Sequence, residues 1–330
     1  MPAAAVSDDP AARPVDVLRT MNVLLRQRDD QLTAGFGKPD RPVIFVLAPP
    51  RGASTLFQQL TRSSLGVGCV SNIMARFWMA PYIGATLEQD MDDPNFVSSL
   101  KSYGRHYNPV NAHEPHEWGW FWAHWLRLSP GQLYCPPGQR IDGDGLNQKL
   151  AALQAVKQAP LLFDNPYAMC NIALLAKSIP QVLLVRMRRA PYYLANSVLN
   201  ARIDRLGDVS AFFGHRPRDV ARILAIDDPV EQAVAQIHAI MGEIEQVVAN
   251  MGSSTVFTID YPDIVRNPHA VMRRFSQFLA GHNCAVPMRE PMPTFPQLRD
   301  RNHPKFVHPA HAERLRRCVA EYFGQDHVPT

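Results

Sequence analysis

The residues best suited to chemistry lie in Pro50-Arg51-Gly52-Ala53-Ser54-Thr55-Leu56. Gly52 and Ala53 are small enough for the backbone to come close to an anion. Ser54 and Thr55 offer hydroxyl donors, and Arg51 adds a fixed cation. A phosphate loop needs these residue types only if it lies between a strand and a helix. The unpaired N–H groups and the positive dipole end of that helix then face the ligand. Ser54 could equally serve only as a helix cap, but capping needs no Arg in the turn. The segment is not a Walker A loop, because it lacks both the leading Gly and the Lys of that pattern.

A second set is Arg189-Ala190-Pro191 followed by Ser197. If a strand ends at Arg189 and a helix starts at Pro191, the guanidinium and the Ser197 hydroxyl can converge on one phosphate. The third is His113-Glu114-Pro115-His116-Glu117-Trp118. Pro115 suits a first helical position, which would put His116 and Glu117 in the first turn. His116 would then stay neutral near the positive helix end and could accept a proton. Glu117 is the second candidate base, with a capping-box bond as its alternative role; Glu114 is a reserve. The spacing H-E-P-H does not fit a zinc helix, so no metal is expected. Trp118, Trp122 and Trp125 form one helical stripe, which fits a buried helix better than an acceptor-site lining.

The elements that would position these residues follow from hydrophobic patterning. Val43 to Leu47 is a continuous β-prone run, matching a strand covered on both faces. Ser54 to Thr61 resumes helical spacing. Strands are expected at Leu161–Phe163, Val182–Val185 and Thr255–Ile259. Helices are expected at Val15–Leu32, Ala168–Lys177, Pro191–Ile203, Val230–Met251 and Pro268–Leu279. This alternation predicts an α/β fold with a central parallel sheet flanked by helices. Residues 1–40 would be a flexible tail and an N-terminal helix, and 41–330 a single α/β domain. Pro- and Arg-rich 204–228 and the stretch after 281 are expected to be loops or lids.

Composition bounds the rest. Of 330 residues 46% are hydrophobic and 19% charged, which fits a globular chain and excludes wholesale disorder. No run approaches a membrane helix, and residues 1–19 lack a signal-peptide pattern, so a cytoplasmic protein is expected. Five dispersed cysteines without C-x-x-C suggest free thiols. All but six of the 34 basic residues are Arg, the better bidentate partner for phosphate and sulfate. The net charge of +4 is scattered and does not point to nucleic acid.

On these motifs the chain resembles the sulfotransferases that use 3′-phosphoadenosine 5′-phosphosulfate (PAPS). Their first signature, P-[RK]-x-G-[ST]-[ST]-L, is matched at residues 50–56 except that the Gly and a small residue are transposed. Their second, R-D-P-x-x-x-x-x-S, is matched by Arg189, Pro191 and Ser197. A weaker echo of Y-E-D-L-V-x-x-P is Tyr261-Pro262-Asp263-Ile264-Val265-Arg266-Asn267-Pro268. The resemblance implies a P-loop NTPase-like sulfotransferase fold in which Arg51, Gly52, Ala53, Ser54 and Thr55 hold the 5′-phosphosulfate. Arg189 and Ser197 would hold the 3′-phosphate. Arg51 would also serve catalysis at the leaving phosphate, with His116 or Glu117 as base. At the position where some relatives carry a Glu base, this chain has Asn72. The implied reaction moves a sulfuryl group from PAPS to a hydroxyl of a small or lipid-like acceptor, releasing 3′,5′-adenosine bisphosphate (PAP). No nucleic-acid partner or transmembrane segment is expected, and a homo-oligomer is compatible. The alternatives are a nucleotide-dependent kinase on a divergent P-loop and a non-catalytic nucleotide-binding protein of the same fold.

Overall fold

The computed structural model describes residues 13–91, 93, 96–100, 111–303, 305 and 307–329. The tail expected before Arg13 lies outside the described residues. Helix α1 (Arg13–Thr33) precedes strand β1 (Val43–Leu47), which leads through the 48–53 loop into α2 (Ser54–Ser64). Every residue of β1 is buried, as its unbroken apolar run requires. After α2 come β2 (Gly68–Cys69), α3 (Pro81–Asp90), α4 (Gly119–Trp125), α5 (Gly143–Lys157) and β3 (Leu161–Phe163). Then follow α6 (Pro166–Cys170), α7 (Ile172–Leu175), β4 (Val182–Arg188), α8 (Pro191–Leu206), α9 (Val220–Leu224) and α10 (Pro229–Met251). Strand β5 (Val256–Asp260), α11 (Tyr261–Arg266), α12 (Pro268–Ala280) and α13 (Pro309–Phe323) complete the described chain.

The five strands form one parallel sheet in the order β2-β3-β1-β4-β5. The loops after β1, β3, β4 and β5 therefore leave from the same edge. β1 has its two neighbours on opposite sides, with the chain turning one way to β3 and the other to β4. In open α/β sheets, ligands bind outside the carboxyl ends of the strands at such a switch point.

One apolar cluster covers each face of the sheet. Phe45, Phe163, Trp118, Phe121 and Trp122 belong to one, and Ile44, Val46, Phe57 and Phe275 to the other. The alternation of β1 side chains between the clusters is the period of 2 that a strand imposes. A third cluster joins α8, α10 and α13. Helix α1 is fastened to α5 by a buried ion pair, Lys149 Nζ lying 2.8 Å from Asp29 Oδ2, and the same ammonium lies 2.7 Å from Oδ1 of the exposed Asp30.

Three expectations need correction. The helix expected over 168–177 is two short helices, broken at Asn171. That side chain leaves the helical pattern to donate to Leu133 O and accept from Cys135 N, at 2.9 and 2.8 Å. The stretch after 281 is not only loop, because α13 packs its Leu315, Cys318 and Val319 into the third cluster. Its many arginines hid the apolar stripe. Pro115 does not start a helix: after a turn at 111–114 it bridges antiparallel to Ser71, with His116 N donating to Val70 O at 2.8 Å and Asn72 N to Glu114 O at 3.0 Å. α4 begins only at Gly119, after Trp118 adopts a left-handed φ of 55°. No helix among the described residues is long and apolar enough to cross a membrane, and the cysteines there are free.

Candidate active site

The 48–53 loop reaches its shape through two left-handed residues, Arg51 (φ 67°) and Ala53 (φ 73°), on either side of Gly52. Gly52 has no room for a side chain, since a Cβ there would stand 2.8 Å from Pro49 O. Ala53 is the N-cap of α2 but makes no side-chain cap bond, so the first N–H groups of the helix point into the loop. The segment 204–228, expected as loop or lid, holds the last turn of α8 and the helix α9, and from the stretch between them Gly214 (φ 90°) lies so close to Pro50 that a Cβ would stand 3.0 Å from its ring.

The two basic motifs meet. Arg51 Nε donates to Ser197 Oγ at 3.0 Å, and Arg189 donates through one terminal nitrogen to Arg51 O at 2.8 Å. Arg189 Nε donates to Asn302 Oδ1 at 2.8 Å, and its guanidinium lies 4.3 Å from the centre of the Tyr261 ring. Burial, and then the charges of Arg205 and Arg301, lower the pKa of Arg51. Burial chiefly lowers that of Arg189, against the favourable influence of Tyr261, and the charge of Arg51 lowers it further. Guanidinium stays protonated regardless. These shifts mark a site where positive charge is crowded and partly desolvated, a setting that an anion relieves.

On the other side of β1, Asp164 follows β3. It accepts a hydrogen bond from Ser54, and its Oδ2 is buried with no hydrogen-bond partner among the described residues. Burial first, and the charge of Glu117 second, push its pKa up to about 7. Burial also raises the pKa of Glu117, although the residue as a whole is exposed. The elements that carry the two pack together: Phe163 lies against Trp122 edge to face at 4.9 Å and stacks on Trp118 at 6.3 Å. Gly119 then fits closely against Tyr167 and Asn165. Aromatic burial thus sets the turn carrying Glu117 over the end of β3.

The third motif divides three ways. Glu114 is only 4% exposed, and Gln59, Ser98 and Ser99 donate to its oxygens, including 2.6 Å from Ser98 Oγ and 2.9 Å from Ser99 N. It is a structural anchor and no longer a reserve base. His116 Nδ1 accepts the Trp118 N–H at 2.8 Å, so in the neutral ring the proton sits on Nε2. Burial, helped by Arg76, lowers its pKa to about 4. Glu117 lies before α4, so it makes no capping box. Trp118 and Trp122 are core, as the buried-helix alternative held.

Sequence reasoning missed Asp164, Asn302, Arg205 and Arg301. Asp164 and Asn302 are short polar residues in apparent loops, and only the fold brings them to the site. The run Arg299-Asp300-Arg301 was the one visible signal for its segment.

The sequence matches the model of a family described as the sulfotransferase family over residues 42–282. The chain belongs to the sulfotransferase family. A search of curated proteins returned no match. Among solved structures it is similar to sulfotransferase STF1 from Mycobacterium tuberculosis at 14% identity and TM-score 0.50, covering 82% of this chain and 75% of that one. Sulfotransferase STF9 from Mycobacterium avium is similar at 17% identity and TM-score 0.49, with 97% and 86% coverage. The likeness to STF1, at so low an identity, speaks to fold alone, and that fold agrees with the P-loop-like architecture expected from the sequence.

Proposed function

We propose that this sulfotransferase uses PAPS as donor and transfers its sulfuryl group to a hydroxyl of a small or lipid-like acceptor. The observation that carries the reading is the junction of the two basic motifs, with Arg51 on Ser197 and Arg189 on the Arg51 carbonyl. Separate residues 138 and 146 positions apart in sequence form one continuous cationic surface at the strand ends. A nucleotide with phosphates at both its 3′ and 5′ ends fits that surface better than one with a single phosphate chain. PAPS supplies the activated sulfuryl group and a leaving phosphate.

The protein's own part is to bind, orient and stabilise charge. Gly52, Ala53, Ser54 and Thr55 present N–H and hydroxyl donors to the 5′ end. Arg189 and Ser197 take the 3′-phosphate, with Asn302 fixing the Arg189 guanidinium and Tyr261 stacking on it. Arg51 turns from Ser197 to the leaving phosphate oxygen. The acceptor proton goes to the 116–117 turn, the side of β1 away from the nucleotide's 3′ end.

Calorimetric titration with PAP and with ADP, both without magnesium, tests this. The expected result is at least a tenfold preference for PAP. Equal affinity, or a preference for ADP that needs magnesium, would overturn the reading, the second in favour of the kinase alternative.

A further inference from the structure

We propose that the outward face of α1, with Trp120 of α4 beside it, is an interfacial surface that docks this enzyme on an anionic lipid bilayer. The inference goes beyond the donor reading above and stands whether or not PAPS is the donor.

The observation is a helix whose two sides are reversed. A surface helix ordinarily turns its apolar stripe to the core and its polar side to water. In α1 the side against the body carries Asn22, Asp29 and Thr33, each at most 1% exposed. Asn22 Nδ2 donates to Arg76 O at 2.7 Å, and Asn22 Oδ1 accepts from Met79 N at 2.8 Å. Asp29 Oδ1 accepts from Ile83 N at 2.9 Å, and Lys149 Nζ donates to Thr33 Oγ1 at 2.7 Å. These bonds fix the rotation of α1, because turning the helix would strand buried polar groups. The side held outward carries Val17, Val23 and Leu24, exposed by 66, 58 and 74%. At about 100° per residue, Val17 and Leu24 lie about 140° around the helix from the line of Leu18, Asn22 and Asp29. Val17, Met21 and Leu24 line an apolar groove along that side. Single exposed aliphatics are ordinary, but a stripe two turns long opposite a polar anchor marks an interaction surface.

Charge says what the stripe meets. Arg28 stands one turn beyond Leu24, Arg19 and Arg26 stand about a turn to either side of Val23, and all three are exposed. Of the acids of α1, Asp29 is buried against Lys149, Asp30 is held by Lys149 and Arg26, and Asp16 precedes Val17. Arginine can lay its stem along apolar surface and send its head to phosphate, so an apolar stripe flanked by arginines suits the headgroup layer of an anionic bilayer. Trp120 lies on the same flank. Its ring stands 4.5 Å from that of Trp78. Trp78 in turn lines a cavity of about 20 Å³ with Arg26 and Asp30 of α1 and His124 of α4. Trp120 is 42% exposed, and tryptophan favours the level where one end of the ring is apolar and the other wet.

A second copy of the chain suits the face less well. A two-fold pairing would bring Arg19, Arg26 and Arg28 of both copies together. It would also rest on three aliphatic side chains a side, where a stable interface uses about 20–30 residues. α1 lies outside residues 42–282, the span that matches the family, so its outer face is open to a role of this chain's own.

Flotation of the full chain tests this, with vesicles of phosphatidylcholine alone and of phosphatidylcholine and phosphatidylglycerol in equal parts. The wild type should bind the anionic vesicles at least roughly tenfold more strongly, and high salt should release it. Leu24→Glu should lower the partition coefficient roughly tenfold or more, and Arg28→Gln about fivefold. Both side chains are exposed, so the urea midpoints should match the wild type. Trp120 is the one exposed tryptophan of the five. Brominated lipid should therefore quench the emission of the bound protein, and Trp120→Phe should remove most of that quenching. No binding to anionic vesicles, or binding that L24E and R28Q leave unchanged, would overturn the proposal. Light scattering supplies the rival outcome: a wild-type dimer that L24E splits, without vesicle binding, gives the face to a second copy. Titration with PAP reads the nucleotide site separately, so failure of either reading leaves the other standing.

Discussion

Substituting either of two small residues in the 48–53 loop should move stability, in opposite directions. Ala53 sits at φ 73°, where an L-residue pays about 1–2 kcal/mol that glycine does not. Against this, Ala53→Gly frees the unfolded chain, at about 0.4–1 kcal/mol. The net for A53G is a gain centred on about 0.8 kcal/mol, within about 0–1.6 kcal/mol. Gly52→Ala has the other sign. Its Cβ would stand 2.8 Å from Pro49 O and 3.2 Å from both Ala48 Cβ and Pro49 Cδ. The nearest of these is backbone, which cannot swing away, so a cost of about 1–3 kcal/mol is expected. The double variant, which restores the order found in the family signature, should recover part of that loss, because a glycine at 53 lets the turn relax around 52. Urea unfolding with the slope checked for constancy measures all three. Calorimetry with PAP reads whether the N–H groups still converge. Destabilisation by A53G, or a G52A variant as stable as wild type, would refute the account of the loop.

Two further predictions concern other parts of the molecule. Lys149→Met strands Asp29, a fully buried carboxylate, and should cost about 3–5 kcal/mol in unfolding free energy. D29N/K149M should recover much of it. Burial already raises the Asp29 pKa, so this acid binds its proton more readily folded than unfolded. The stability deficit of K149M should therefore shrink as pH falls from 7 toward 5, as a urea series at several pH values would show. Arg189→Lys keeps the charge but loses the fork that reaches Asn302 and Arg51 O and the plane that lies on Tyr261. PAP affinity should fall roughly 10–100-fold while ADP affinity changes little, by calorimetry.

The strands and the loop were legible because they are written locally. Val43–Leu47 is an uninterrupted apolar run, and Arg51 to Thr55 is a compact group of donors between strand and helix. Arg189 and Ser197 were found by spacing, and the structure brings Ser197 to Arg51. What local pattern does not encode is long-range pairing. Pro115 reads as a helix start, yet residues 111–116 pair with 70–73, and the backbone bonds of that pairing outweigh the Pro signal. Asp164 gave no sequence signal, because its meaning depends on Ser54, 110 positions earlier, and on an aromatic packing that delivers Glu117. α13 was hidden by its arginines: Arg316 and Arg317 lie on the solvent side and Arg314 pairs with Asp228 and Glu231 of α10, beside an ordinary apolar stripe.

The placement of β1 between β3 and β4 has an evolutionary consequence. The strands of the β3 flank and the elements between them, β2 through α6, are written in residues 68–170, and the strands of the β4 flank with Arg189, Ser197 and Asn302 in residues 182–302. On the proposed reading, the first stretch faces the acceptor and the second faces the nucleotide. A pair of crossovers between relatives, near residues 67 and 175, would therefore exchange what is sulfated while keeping what donates. Chimeras joined there, with the first loop retained, offer a direct route to new acceptor preferences. Diversification of such a chain needs no change to its handling of the donor.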